Sequence, residues 1–170
     1  MTLLFDLSGK LAWALASFAK LLIGIMILLV VSDVAVRNFG WRPMTWAISA
    51  SEYILMYVAF LAMPWLVRIK GHVFVEFLRF MLPEKAKQVL AKVVYLTSVL
   101  LCLYLGWIAL SSLMLSIERG TYETRTFDTP KWVVFLPIMT GFFLSAVEWL
   151  RYLLGHDSLY NRDPLEVEGM

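Results

Sequence analysis

The chain has 170 residues, 61% of them hydrophobic and only 16% charged, with a formal net charge of +2 and a mean hydropathy of +0.75. Soluble domains carry roughly 25% charged residues, so the polar shell that a water-soluble core requires is missing. The small net charge gives no reason to invoke nucleic acid, and the single cysteine, Cys102, lies in an apolar run. It excludes a disulfide framework and reads as a small buried hydrophobe.

Four apolar stretches follow along the chain, at about 13–36, 47–67, 93–117 and 132–150. Each is near the ~20 residues needed to cross ~30 Å of hydrocarbon. Backbone polar groups in lipid must be satisfied within the segment, and none of these runs alternates like a strand, so all four are expected to be helices. The first run is too long for a cleaved signal peptide and no small-x-small site follows it, so it is expected to be retained. Pro64 is expected to bend the second helix, and Pro137 falls in the first turns of the fourth, where it is tolerated.

Between the second and third helices, Val73, Phe74, Phe77, Leu78 and Met81 recur at helical spacing, with His72, Glu76 and Arg79 opposite. This pattern predicts an amphipathic helix over 72–82 lying in the interface and ended by Pro83, the alternative being a hydrophobic loop over neighbouring helices. The third connection, 118–131, is polar and of mixed charge, and the tail from Gly155 is polar and expected to be loosely ordered. The fold class is therefore all-α integral membrane, a single domain of four transmembrane helices plus this interfacial helix.

Lys/Arg bias sets the orientation. Four crossings place both termini beside the middle connection. That side carries ten positive residues (Lys10, Lys20, Arg68, Lys70, Arg79, Lys85, Lys87, Lys92, Arg151 and Arg162) against five on the other (Arg37, Arg42, Arg119, Arg125 and Lys131). The N- and C-termini are expected in the cytoplasm.

Enzyme signals are absent: no phosphate loop, no nucleophile elbow and no metal-ligand spacing. His72 and His156 both lie outside the spans, which disfavours a membrane haem anchor, whose axial ligands sit inside its helices. No cofactor is expected. Charged groups at membrane depth are costly and face protein or water. Asp33 and Arg37 are four apart with the acid first, a local ion pair at a helix end or, alternatively, part of an ion path. Glu52, about one turn beyond Trp46, is expected to make a structural contact in its own chain or with a partner rather than to couple protons. Lys20 can snorkel to the cytoplasmic surface. Glu148 and Arg151 look like a terminal ion pair. Trp13, Trp41, Trp46, Trp65, Trp132 and Trp149 fall near span ends, as an aromatic belt does, whereas Trp107 lies mid-helix and points to a helix–helix contact.

Several short motifs occur in a fixed order. Arg37-Asn38-Phe39-Gly40-Trp41-Arg42-Pro43 is followed by Trp46, Phe60-Leu61, Arg68, Lys70-Gly71-His72-Val73, Val75-Glu76-Phe77 and Leu82-Pro83. Thr129-Pro130-Lys131-Trp132 and Pro137 come later. Together they resemble the small, DctQ-type membrane subunit of TRAP (tripartite ATP-independent periplasmic) transporters over nearly the whole chain. Three departures stand out. Glu76 replaces the family's Asp, Ile48-Ser49 replace its acidic pair, and the Gly-Pro turn is one residue longer.

The resemblance implies a non-catalytic scaffold subunit in a bacterial inner membrane. Its large multi-helix partner would hold the substrate and sodium sites and move by an elevator mechanism. A periplasmic binding protein would deliver an organic acid and touch the external loops transiently. Arg37, Trp46, Glu52, Arg68, His72 and Glu76 become candidates for assembly, with Arg68, His72 and Glu76 expected to fix the interfacial helix, and Asp33–Arg37 and Glu148–Arg151 candidates for local pairs. Secondary carriers build midplane sites from repeated, interrupted helices, which this chain lacks. The competing reading is a small multidrug-type, proton-coupled exporter acting as a homodimer through Asp33 or Glu52.

Overall fold

The computed structural model describes residues 2–71, 83–124 and 128–155. Four helices carry the fold: α1 (Thr2–Asn38), α2 (Thr45–Arg68), α3 (Glu84–Arg119) and α4 (Lys131–Leu153). All four are long and apolar enough to cross a membrane. The interfacial helix expected over 72–82, with His72 and Glu76, lies outside the described residues, as do Arg125, His156 and Arg162.

The helices outrun the apolar runs that announced them. α1 has 37 residues and α3 has 36, about 55 Å each at 1.5 Å per residue. Their first turns, the mixed stretch Thr2–Lys10 and the polar stretch Glu84–Lys92, prolong a helix already nucleated by its most apolar part, because propagation is far easier than initiation.

The packing order differs from the chain order. α4 packs mainly on α3 and α2, and α2 packs on α1, so α2 and α4 form the inner pair. The α1 face turned inward is built from Ser8, Gly9, Ala12, Ala16 and Ala19, small residues that let two helices approach closely where no hydrophobic effect drives them together. At one end of the bundle Val67, Tyr95, Val99, Cys102, Ala146, Trp149 and Tyr152 form the core. Tyr95, Trp149 and Tyr152 have ring centroids 5.8–6.1 Å apart. Cys102 is buried there, as expected of a small hydrophobe.

Two tryptophans depart from the sequence reading. Trp149 is 8% exposed and belongs to the core rather than to an outward belt, whereas Trp107 is 64% exposed on the outer surface of α3. The third connection is more ordered than a plain loop. Tyr122–Thr124 (β1) pairs antiparallel with Asp128–Pro130 (β2), Tyr122 opposite Pro130, and the Lys131 N–H donates to the Thr121 carbonyl at 3.0 Å to set the start of α4.

Prolines shape the inner pair. Both Pro64 and Pro137 sit inside unbroken helices, and each deprives the carbonyl four residues earlier of its helical donor. For Pro137 that carbonyl is Val133, and the Tyr57 hydroxyl of α2 donates to it at 2.7 Å. For Pro64 it is Phe60, and the Cβ of any side chain added at Gly141 of α4 would collide with that oxygen. The hydrogen standing in place of that Cβ points at the Phe60 carbonyl, a Cα–H···O contact. Each helix thus answers a carbonyl freed by a proline in the other.

Candidate functional site

At the end of the bundle where α2 and α4 finish and α1 begins, charged groups converge. Arg68 is the last residue of α2, where a cation complements the helix dipole. Its Nη1 donates to Glu148 Oε1 at 3.0 Å and to the Phe5 carbonyl of α1 at 3.0 Å. Ser8 Oγ donates to the same carboxylate oxygen at 2.8 Å. Arg151 Nη1 lies 3.5 Å from Glu148 Oε2, and its guanidinium carbon sits 5.6 Å from the Tyr152 ring centre. Glu148 is wholly buried, and the Arg68 and Arg151 side chains are 24% and 16% exposed.

This node ties three helices together. Gly9 makes it possible, since any Cβ there would collide with the Arg68 guanidinium. The Tyr152 hydroxyl shares its proton between the Val67 carbonyl at 2.8 Å and the Arg68 carbonyl at 3.1 Å, adding a donor at a helix end that runs short of them. Two further bonds complete that end. Lys70 N–H reaches Val67 O at 3.2 Å and Gly71 N–H reaches Leu66 O at 2.9 Å, the Schellman arrangement with Lys70 at φ 59°.

The pair expected between Glu148 and Arg151 is therefore present, but Arg68, eighty positions away, holds the carboxylate more closely. Arg68 turns to Glu148 and Phe5 within the bundle. The role expected for it beside His72 and Glu76 involves residues outside the described part.

The opposite end is closed by Asp33, 8% exposed. Its Oδ2 accepts from Arg37 Nε at 2.8 Å and lies 2.7 Å from Nη2. Its Oδ1 accepts the Met44 N–H at 2.9 Å, so a carboxylate of α1 sits at the positive start of α2 and clamps the hairpin. Arg37 is half-exposed. Trp46 (49% exposed) and Glu52 stand on outward surface of α2, Glu52 on the same stripe as Ile48 and Leu55. Among the described residues no group of His, Cys, Asp or Glu could hold a metal ion.

Apolar surface is left uncovered on all four helices, inner α2 included, with 17% of its most apolar window buried. Only 11% of the most apolar window of α1 is buried inside the chain, against 33% for α4. Four helices long and apolar enough to cross a membrane, with Asp33 and Glu148 each ion-paired to arginine and much apolar surface left bare, define a multi-pass membrane protein built to sit against lipid or another membrane chain. Residues 26–156 match the family model of tripartite ATP-independent periplasmic transporters, DctQ component, and the chain belongs to that family. It is thus a TRAP small permease component, a family of transporter components that are generally non-catalytic, and membership implies association with a large TRAP membrane subunit and a periplasmic binding protein. No curated protein matches the sequence.

Proposed function

We propose that this chain is the non-catalytic scaffold subunit of a TRAP secondary carrier in the bacterial inner membrane, with both termini cytoplasmic. It steadies a large transport subunit that performs sodium-driven uptake of an organic acid, delivered by a periplasmic binding protein. The Arg68–Glu148 node then lies at the cytoplasmic end and the Asp33 clamp at the periplasmic end, in keeping with the Lys/Arg excess beside the termini.

The observation that carries this reading is the use made of two membrane acids, Asp33 and Glu148. Asp33 is committed to Arg37 and to the start of α2, and Glu148 to Arg68, Ser8 and Arg151. A carboxylate that carries a proton or an ion across needs to exchange partners with water or substrate, and these two hold the fold instead. The uncovered apolar faces supply the contact with the large subunit, and Trp46 and Glu52 belong to that contact. The β1–β2 ribbon stands on the periplasmic side, where a binding protein would approach.

The test is co-expression of the tagged chain with the large membrane protein encoded beside it. A one-to-one complex that transports after reconstitution with the binding protein, while the small chain alone does not, supports the proposal. A homodimer that transports unaided overturns it.

A further inference from the structure

We propose that the pocket between the start of α1 and the finish of α2, lined by Asp6, Gly9, Lys10, Trp13, Trp65 and Arg68, holds the phosphodiester of a singly charged phospholipid headgroup, with Lys10 and Arg68 as its ligands. The inference goes beyond the scaffold reading and does not rest on it, because the pocket is built within this chain alone.

Two helix faces make the pocket. Asp6, Gly9, Lys10 and Trp13 stand at i, i+3, i+4 and i+7 along α1, and Trp65 and Arg68 at i and i+3 along α2. They bound an open space of about 460 Å³, within the ~300–1,000 Å³ of small-molecule sites. Gly9 lets the Arg68 guanidinium lie against the α1 backbone, where any Cβ would collide with it.

The donors facing this space are not used up by the fold. Arg68 gives Nη1 to the Phe5 carbonyl and to Glu148. Among the described residues its Nε and Nη2 have no acceptor, and neither the Lys10 ammonium nor the indole N–H of Trp13 or Trp65 has one. In the node and the pocket together, Arg68, Arg151 and Lys10 stand against Glu148 and Asp6, which leaves one positive charge. A phosphodiester carries one negative charge and offers oxygens to both a guanidinium and an ammonium. A phosphomonoester brings nearly a second negative charge, which Asp6 opposes.

The pocket lies where apolar sequence gives way to charge. α2 has 24 residues, about 36 Å against the ~30 Å of hydrocarbon, so its last residue, Arg68, falls at the hydrocarbon edge. The Arg68 contacts with Phe5 and Gly9 hold the Asp6–Lys10 turn of α1 at the same level. Trp13 and Trp65 each stand one turn to the apolar side of these charges, as indoles of a membrane interface do. From there α1 runs on apolar and bare, with only 11% of its most apolar window buried. An occupant that joins an anion to an apolar tail fits both parts, and a phospholipid is such a molecule.

The experiment titrates the purified full chain in a nonionic detergent with phosphatidylglycerol, phosphatidylcholine and inorganic phosphate, and counts bound lipid by native mass spectrometry. One phosphatidylglycerol should bind in preference to phosphatidylcholine, and inorganic phosphate should not displace it. Lys10→Gln should weaken it about fivefold. Lys92→Gln, which removes the same charge from exposed surface of α3 one turn before the core residue Tyr95, should change it by less than about twofold. Lys10 is exposed and outside the ion-paired node, so unchanged circular dichroism of Lys10→Gln separates lost binding from misfolding. Equal losses from Lys10→Gln and Lys92→Gln mean diffuse surface charge only and overturn the proposal, as does equal binding of phosphatidylcholine or displacement by free phosphate. Loss of the lipid when the chain is complexed with its large subunit gives the pocket to a protein group and overturns it too.

Discussion

Glu148 offers the sharpest perturbation, because a wholly buried carboxylate serves two guanidinium groups and a hydroxyl. Glu148→Met removes the anion but leaves Arg68 and Arg151, each more than three-quarters buried, without a counter-charge. Breaking a buried pair from one side costs about 3–5 kcal/mol. The partial access of both arginines to water favours the lower figure, and about 3 kcal/mol corresponds to more than a hundredfold in the folded-to-unfolded ratio. Arg68→Met combined with Glu148→Met should be less damaging than Glu148→Met alone, because hydrophobic replacement of both partners leaves one fewer uncompensated charge. The double-mutant cycle should give a coupling of about 1–3 kcal/mol. Equilibrium unfolding of the purified chain in mixed micelles measures it. A coupling below about 0.5 kcal/mol, or a double variant no better than Glu148→Met, would refute the view that Arg68 and Glu148 act as a unit.

Three further outcomes follow from the same kind of accounting, each read by unfolding in mixed micelles. Tyr57→Phe strands the Val133 carbonyl and should cost about 1–2 kcal/mol. The cost should largely vanish in a Pro137→Ala background, where residue 137 regains an N–H for that carbonyl. Gly141→Ala should cost about 1–3 kcal/mol because its methyl meets backbone rather than a movable side chain, whereas Gly24→Ala, which meets nothing, should be neutral or slightly stabilising for the isolated chain. Lys70→Gly should stabilise by about 1 kcal/mol, since Lys70 holds a left-handed φ of 59° at a helix end where Gly40, Gly120 and Gly155 serve the other three helices.

The spans were legible because hydropathy reports what crosses lipid, whereas the extensions of α1 and α3 are interrupted by Asp6, Lys10, Lys87 and Lys92 and were not. Asp33–Arg37 was legible because the pair is local. The engagement of Glu148 by Arg68 was hidden for the converse reason, since Arg151 stood three residues away as a ready partner and nothing in the pattern favoured a residue eighty positions back. Pro137 announced in principle that the Val133 carbonyl would need a donor, yet only the packing of α2 on α4 names Tyr57 for the task. The tryptophans show the limit most directly. Position along a helix suggested belt for Trp149 and helix contact for Trp107, while rotation about the helix axis, which neighbours decide, gave core to the first and surface to the second.

The internal arrangement also bears on how such a subunit would work. An inner pair in which each helix covers a carbonyl freed by a proline in the other resists sliding, because a shift of one turn would strand both carbonyls in a medium with no water to replace the lost partners. The ends are fixed as well, by Asp33 on one side and by the Arg68–Glu148 node on the other. A helix sheet pinned at both ends and registered in its middle is poorly suited to alternating access, which needs elements that move past one another. It is well suited to holding still. The scaffold role proposed for this chain thus asks of it the mechanical property its polar contacts supply, and leaves motion and ion exchange to the partner docked on its uncovered faces.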